Sequence, residues 1–261
     1  MDQFKERYGP VALVTGASSG IGVGFAEELA HRGLDLVLTA RRGDRLRALA
    51  DRLAAEQDVK VEVVESDLTR SSAPAALLAA TSGFDIGLLV SNAGFGSKGP
   101  HEGNDPAALT DMLMVNSHVP LLLTHGFIPR LRARGHGGLL MTSSVEGLIG
   151  TPYSAAYSAS KAMVIALGEA LWAELAGLGV DVLTLCPGAT ESEAAAKQGI
   201  DLSKMQNVMT AREVARLALD HLAEGPTYCP SDHYRALFEQ LAALPRRDAL
   251  LAMAKGMRGG G

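Results

Sequence analysis

The stretch Val11-Ala-Leu-Val-Thr15-Gly16-Ala17-Ser18-Ser19-Gly20-Ile21-Gly22 decides the fold. Its apolar run lacks polar alternation, which is the pattern of a strand covered on both faces in a parallel sheet. The glycines at 16, 20 and 22 let the backbone turn sharply into a helix and approach a pyrophosphate at that helix's N-terminus. Ser18, Ser19 and Ile21 share the turn. The spacing differs from G-x-G-x-x-G, and a glycine-rich turn alone is equally a tight strand-to-helix connection, so its neighbours must decide. Gly24, one step further on, reads only as a place where this helix packs closely on a strand.

Outward from that turn, short apolar runs alternate with amphipathic stretches. Helix is expected at 22–32, strand at 36–40, helix at 44–57, strand at 59–65, helix near 74–82 and strand at 86–91. A long helix over about 106–134, a strand at 138–143, a helix over about 154–178 and a strand at 180–186 follow. This alternation predicts a doubly wound α/β sheet, with ligands bound just beyond the carboxyl ends of the strands.

Composition narrows the function classes. A length of 261 residues suits one domain spanning 1–261, and 47% hydrophobic with 20% charged residues is a globular profile. The 24 Lys+Arg against 29 Asp+Glu leave a charge of -5, with no basic field for a nucleic-acid backbone. Two cysteines, Cys186 and Cys229, make no disulfide framework and suit a reducing compartment. No apolar run is long enough to span a bilayer, and Met1–Pro10 carries charge without a hydrophobic signal core, so a cytoplasmic protein is expected. Seven histidines occur without H-E-x-x-H or paired C-x-x-C spacing, and no metal site is expected.

At the end of the second strand stands Ala40-Arg41-Arg42. A carboxylate there would bind the 2′-hydroxyl of NAD, whereas a 2′-phosphate calls for its absence and a nearby arginine. NADP is therefore the expected cofactor, with NAD the alternative. Further on, Tyr157 and Lys161 stand at i and i+4, one above the other on a helix face. An adjacent ammonium favours phenolate and would bring the tyrosine pKa down towards the working range of an acid or base. Without company, such a pair is an ordinary packing contact.

The company is extensive. Thr15-Gly16-x-x-x-Gly20-x-Gly22, Asp67-Leu68, Asn92-Ala93-Gly94, Asn116, Ser144, Tyr157-x-x-x-Lys161 and Pro187-Gly188 stand in the order and at the spacing of the short-chain dehydrogenase/reductase family. The chain resembles its single-domain members over nearly its whole length. The resemblance implies a Rossmann-type seven-stranded parallel sheet with helices on both faces, an NAD(P) cofactor and interconversion of alcohols and carbonyls. By matching position, it makes Tyr157 the general acid or base and has Lys161 lower the tyrosine pKa and bind the nicotinamide ribose. Ser144 would hold the carbonyl oxygen, while Asn116 would interrupt its helix and bind a water leading from Lys161 to solvent. Asp67 and Leu68 would contact adenine, and Asn92, Ala93 and Gly94 would line the adenosine side while tying strand to strand. Pro187 and Gly188 would turn beneath the nicotinamide. The family often has threonine where this chain has Ser192, so Ser192 and neighbouring Thr190 compete for the nicotinamide contact.

Substrate contacts are expected from Phe95, from Val145 to Tyr153, and from an Ala-, Met- and Leu-rich segment at about 189–209 acting as a mobile lid. Glu146 and Tyr153 are candidates to orient a polar substituent, or are rim residues. Glu6-Arg-Tyr-Gly9, Thr81–Gly87 and Met209–Val214 look similar to a bacterial branch that includes hydroxysteroid dehydrogenases. A small to medium hydrophobic, steroid-like ketone or alcohol follows. A 3-ketoacyl reductase is the enzymatic alternative; a non-catalytic NADP sensor or scaffold is the other, opposed by the presence of both Tyr157 and Lys161. The resemblance also implies a homodimer or homotetramer built on the long helices at 106–134 and 154–178. The glycine-rich end, about 256–261, reads as a flexible tail.

Overall fold

All five residues of Val11–Thr15 are buried, because this strand lies in the middle of the sheet with helices over both of its faces. The computed structural model describes residues 3–193 and 201–258. In chain order the strands are β1 (Val11–Thr15), β2 (Asp35–Ala40), β3 (Val61–Glu65), β4 (Ile86–Ser91), β5 (Gly137–Thr142), β6 (Val180–Leu185) and β7 (Thr227–Tyr228). They pair in parallel in the order β3-β2-β1-β4-β5-β6-β7. The winding direction reverses between β1 and β4, which places a ligand crevice beyond their carboxyl ends.

The helices are α1 (Gln3–Tyr8), α2 (Ile21–His31), α3 (Gly43–Gln57), α4 (Ala73–Ala80), α5 (Pro106–Leu113), α6 (Val119–Arg134), α7 (Ala155–Leu175), α8 (Ala211–Asp220), α9 (Asp232–Ala243) and α10 (Arg246–Arg258). Side-chain alternation along β1 separates two cores. Ala12 and Val14 join Phe25, Leu29, Val214 and Leu219 beneath α2 and α8. Val11 and Leu13 join Phe127, Leu131 and Leu171 on the face of α6 and α7. None of the described helices is long and apolar enough to cross a membrane.

One expectation is met and two are corrected. The single helix expected over 106–134 is broken by a π-helical turn at Met114–His118, the interruption foreseen around Asn116. Gly24 serves contact with a helix and not a strand, since a Cβ there would lie 2.5 Å from the Ala211 carbonyl oxygen at the start of α8. The chain end is helical through Arg258, so 256–258 belong to α10, while 259–261 lie outside the described residues.

Candidate active site

A cavity of about 1060 Å³ runs along the carboxyl ends of β1 to β6. At one end lies the glycine turn, where Gly16 (φ 71°) and Gly20 (φ 56°) take left-handed backbone that a Cβ would strain. Space is as restrictive as the dihedral angle: a Cβ on Gly16 would lie 2.8 Å from the Ala93 Cα. Ser18, Ser19 and Ile21 line the cavity beside these glycines. Gly22 does not line it; a Cβ there would meet the Gly16 carbonyl oxygen at 2.2 Å, so this glycine seats α2 on the turn. Arg41 and Arg42 stand at the mouth after β2, and Asp67 and Leu68 follow β3. Burial raises the Asp67 pKa, but hydrogen bonds from Thr69 and the charges of Arg41 and Arg70 outweigh it, and the net direction is down.

The turn after β4 is tied to both neighbouring strands. The Thr15 hydroxyl accepts from the Asn92 and Ala93 amides (2.9 and 3.0 Å), and Asn92 Nδ2 donates to the Thr15 carbonyl (3.2 Å). The Thr142 hydroxyl donates to Asn92 Oδ1 (3.2 Å). Gly94 stands where Asn116 Oδ1 and Lys161 Nζ converge, 3.1 and 3.2 Å from a hypothetical Cβ. Asn116 lies buried behind the cavity wall. Its Nδ2 donates to the Phe95 carbonyl (2.9 Å) and Ser160 Oγ (3.0 Å), while Oδ1 accepts from the Phe95 amide (3.0 Å). Both donors are thus taken, and a water would have to use the remaining Oδ1 lone pair.

Ser144, Tyr157 and Lys161 meet in the middle of the cavity, where β5 ends and α7 passes over it. Ser143 holds that crossing by donating its hydroxyl to the Lys161 carbonyl (2.8 Å). Lys161 Nζ donates to the Thr142 carbonyl (2.8 Å) and lies 5.8 Å from the Tyr157 ring centre. Burial pushes the Lys161 pKa down to about 8. Burial first, then the Glu146 carboxylate, push the Tyr157 phenol well above its ordinary value of 10, against a lowering hydrogen bond with Ser144. The net direction is thus opposite to the depression expected from Lys161, because desolvation of the phenolate outweighs the lowering hydrogen bond with Ser144. Ser144 Oγ also accepts from the Glu146 amide (3.2 Å), fixing the 3₁₀ turn Val145–Gly147.

Beyond Tyr157 the wall becomes apolar. Pro187, Gly188, Thr190 and Ser192 carry the chain past the end of β6, and Phe95, Val145 and Glu146 face them. Tyr153 is not part of the lining; its backbone, at φ 59°, accepts a hydrogen bond from the Gly99 amide (2.8 Å). The two ends of the 189–209 segment pair through a bridge between Thr190 and Met209, and Leu202 and Met205 line the cavity; 194–200 lie outside the described residues.

Sequence reasoning missed several residues of this site. Lys98 Nζ donates to Glu146 Oε1 (2.6 Å) and to Ser154 Oγ (3.2 Å), while Glu146 Oε2 is buried with no hydrogen-bond partner. From α9 come Tyr234, Leu237, Phe238 and Leu241, at the i, i+3, i+4, i+7 spacing of one helix face. That stripe was the signal by which they could have been found. From α10 come Ala252, Met253, Gly256 and Met257, so the presumed tail is part of the wall. Tyr234 packs so closely on Gly188 that a Cβ there would lie 2.1 Å from its ring. Among the described residues no group of three or more His, Cys, Asp or Glu could hold a metal ion.

Known proteins resemble this chain in sequence and fold. The chain is 29% identical to a 7β-hydroxysteroid dehydrogenase of Clostridium sardiniense over 97% of each chain. A short-chain dehydrogenase from Sphingobium yanoikuyae, solved with NADPH, superposes with a TM-score of 0.82 at 33% identity, covering 97% of this chain and 96% of that one. A short-chain dehydrogenase/reductase from Burkholderia phymatum, solved with NAD, gives 0.81 at 26% identity over 90% and 93%. With residues 10–202 matching the short chain dehydrogenase family and the seven-stranded sheet in place, the chain belongs to the short-chain dehydrogenases, oxidoreductases acting on hydroxyl groups.

Proposed function

We propose that the chain is an NADP(H)-dependent oxidoreductase that interconverts a secondary alcohol and a ketone on a hydrophobic, steroid-like substrate. The observation that carries this reading is the convergence of Ser144, Tyr157 and Lys161 midway along one cavity, between a glycine turn and an apolar far wall. A dinucleotide fits the near half: the positive-φ glycines expose backbone amides, and the cavity is larger than a single drug-sized ligand requires. Gly16, Ser18, Ser19, Gly20 and Ile21 would hold the pyrophosphate, Arg41 and Arg42 the 2′-phosphate, and Asp67, Leu68, Asn92, Ala93 and Gly94 the adenosine. Pro187, Gly188, Thr190 and Ser192 would carry the nicotinamide. When bound, the cofactor supplies or accepts a hydride.

The chain's own groups then have separable tasks. Tyr157, held protonated by burial, gives its proton to the carbonyl oxygen in reduction and recovers it in oxidation. Ser144 donates a hydrogen bond to the same oxygen, where negative charge develops. Lys161 is mostly protonated below about pH 8, and its charge opposes the cost of a buried phenolate after proton transfer. Asn116 holds the Phe95 loop against α7 and offers its remaining lone pair to a water on the proton path. The unpartnered Glu146 oxygen suits a hydrogen-bond donor on the substrate.

The apolar lining beyond Tyr157 supports a bulky ketone. The test is a panel of cyclic, steroid and short-chain ketones and 3-ketoacyl thioesters, read by NADPH absorbance with NADH as control. Turnover of bulky ketones supports the reading; exclusive turnover of thioesters assigns the ketoacyl alternative, and cofactor binding without turnover assigns the sensor. Exposed Leu113 on α5 and Leu121 on α6 suit a homo-oligomer contact, which light scattering would test.

A further inference from the structure

The mouth of the cofactor end carries an ion-pair arrangement that the proposed function leaves unused. Glu193, in the segment after β6, reaches across to the start of α3. Its Oε2 accepts from Arg42 Nη1 at 2.7 Å, and its Oε1 accepts from Arg45 Nη1. Arg42 is meanwhile anchored on the glycine turn: Nε and Nη2 donate to Ser18 Oγ (3.2 and 3.1 Å), and Nη2 also donates to the Ser18 carbonyl (3.2 Å). Ser192, one residue before Glu193, rests on the same turn, its Cβ 3.3 Å from where a Gly20 Cβ would be. Two guanidiniums, one of them fixed to a phosphate-binding turn, therefore converge on a single anion supplied by the chain itself.

Such a pair of planar forks suits a phosphomonoester better than a carboxylate. The phosphate carries close to two negative charges and three acceptor oxygens, against one charge and two oxygens. The arginines hold the Glu193 carboxyl at about 2, so it remains a competing anion throughout the neutral range.

We propose that Glu193 occupies the 2′-phosphate site as an internal competitor and that Arg45 joins Arg41 and Arg42 in forming that site. The 2′-phosphate of NADP(H) displaces the carboxylate, whereas NAD(H), bearing a hydroxyl there, leaves it in place. Glu193 is thus a specificity determinant that tempers the preference for the phosphorylated cofactor. This rests on the NADP reading above.

Calorimetric binding to the full chain separates the two. The probes are 2′,5′-ADP, 5′-AMP, NADPH and NADH, and the proteins are wild type, Glu193→Gln, Glu193→Ala and Arg45→Ala. Both Glu193 variants should bind NADPH and 2′,5′-ADP about threefold to tenfold more tightly, as expected for removing two exposed ion pairs, with 5′-AMP and NADH unchanged. Arg45→Ala should weaken 2′,5′-ADP selectively. If wild type favours 2′,5′-ADP over 5′-AMP but the Glu193 variants bind it no more tightly, the competitor is refuted and the NADP reading stands. If no protein in the set discriminates the two nucleotides, the NADP reading fails and the competitor with it.

Discussion

The two walls of the cavity are built differently. The near wall consists of strand ends and the turns that leave them, tied by the Thr15, Asn92 and Thr142 hydrogen bonds and by glycines that leave no room for a Cβ. The far wall consists of one face of α9, which has no buried residue at all, and of α10, where Leu251 and Met257 remain exposed. Groups that must sit within tenths of an ångström of a reacting atom belong on the rigid wall, and the weakly packed wall is free to set what is accepted. The contrast predicts that changes on the near side alter chemistry or cofactor choice, while changes on the far side alter only the preference among substrates.

The largest effect expected is at Tyr157. Tyr157→Phe removes the transferable proton and should lower kcat on the order of 10³-fold, within the range of general acid catalysis, with NADPH affinity retained. Stopped-flow turnover and calorimetric binding would check both halves. Retained turnover would move the acid elsewhere. Next in size, Ala40→Asp puts a carboxylate at the end of β2, beside Arg42, and should lower kcat/KM with NADPH about tenfold to thirtyfold while raising it with NADH. Unchanged kinetics with both cofactors would remove Arg41 and Arg42 from the 2′-phosphate assignment.

A smaller effect concerns stability and pH. Lys161 titrates at about 8 in the folded protein against 10.5 when unfolded, so between those values the unfolded chain binds the extra proton. Stability should therefore rise with pH across this window. Cys186, raised from 9.0 to about 12 by burial, and Tyr157, also raised, act in the opposite sense once the unfolded thiol and phenol begin to ionise. From pH 8 to 9 Lys161 alone contributes a gain of about 1 kcal/mol, partly offset by the raised thiols Cys186 and Cys229, so urea unfolding should show wild type gaining about 1 kcal/mol more than Lys161→Met, which keeps both thiols.

Legibility in the sequence follows the same division. The glycine turn, the strand ends and the Tyr157-to-Lys161 spacing could be read because they are local: a parallel strand is a continuous apolar run, and i, i+4 fixes a common helix face. What failed was non-local. β7 has two residues, too few for any period, and exists only because Thr227 and Tyr228 pair with Thr184 and Leu185. The start of α8 did carry a signal, the Thr210-x-x-Glu213 capping box whose hydroxyl accepts from the Glu213 amide at 3.2 Å. The α9 stripe could be read as amphipathic, but periodicity says which face is apolar and not what it meets. Pairs such as Lys98 with Glu146 and Arg42 with Glu193 join distant segments and have no sequence pattern. The direction of the Tyr157 pKa was missed for a related reason, since proximity to Lys161 is visible in sequence whereas depth of burial is not.

The smallest effect is also the one that most directly tests the two-wall picture. Leu241→Ala or Met253→Ala removes apolar surface that lines the cavity without belonging to either buried core. Each lost methylene is worth about 0.8 kcal/mol at full burial, and these side chains are only partly covered, so KM for a bulky ketone should rise about twofold to fivefold. KM for a short-chain ketone, kcat and NADPH affinity should stay within about twofold, and Tm should barely move, because no packed interior is opened. A parallel loss with both ketones, or a weaker NADPH complex, would mean that α9 and α10 brace the catalytic side as well. The sheet would then hold only part of the machinery, and the exposed stripe on α9 would be a structural support for Gly188 through Tyr234.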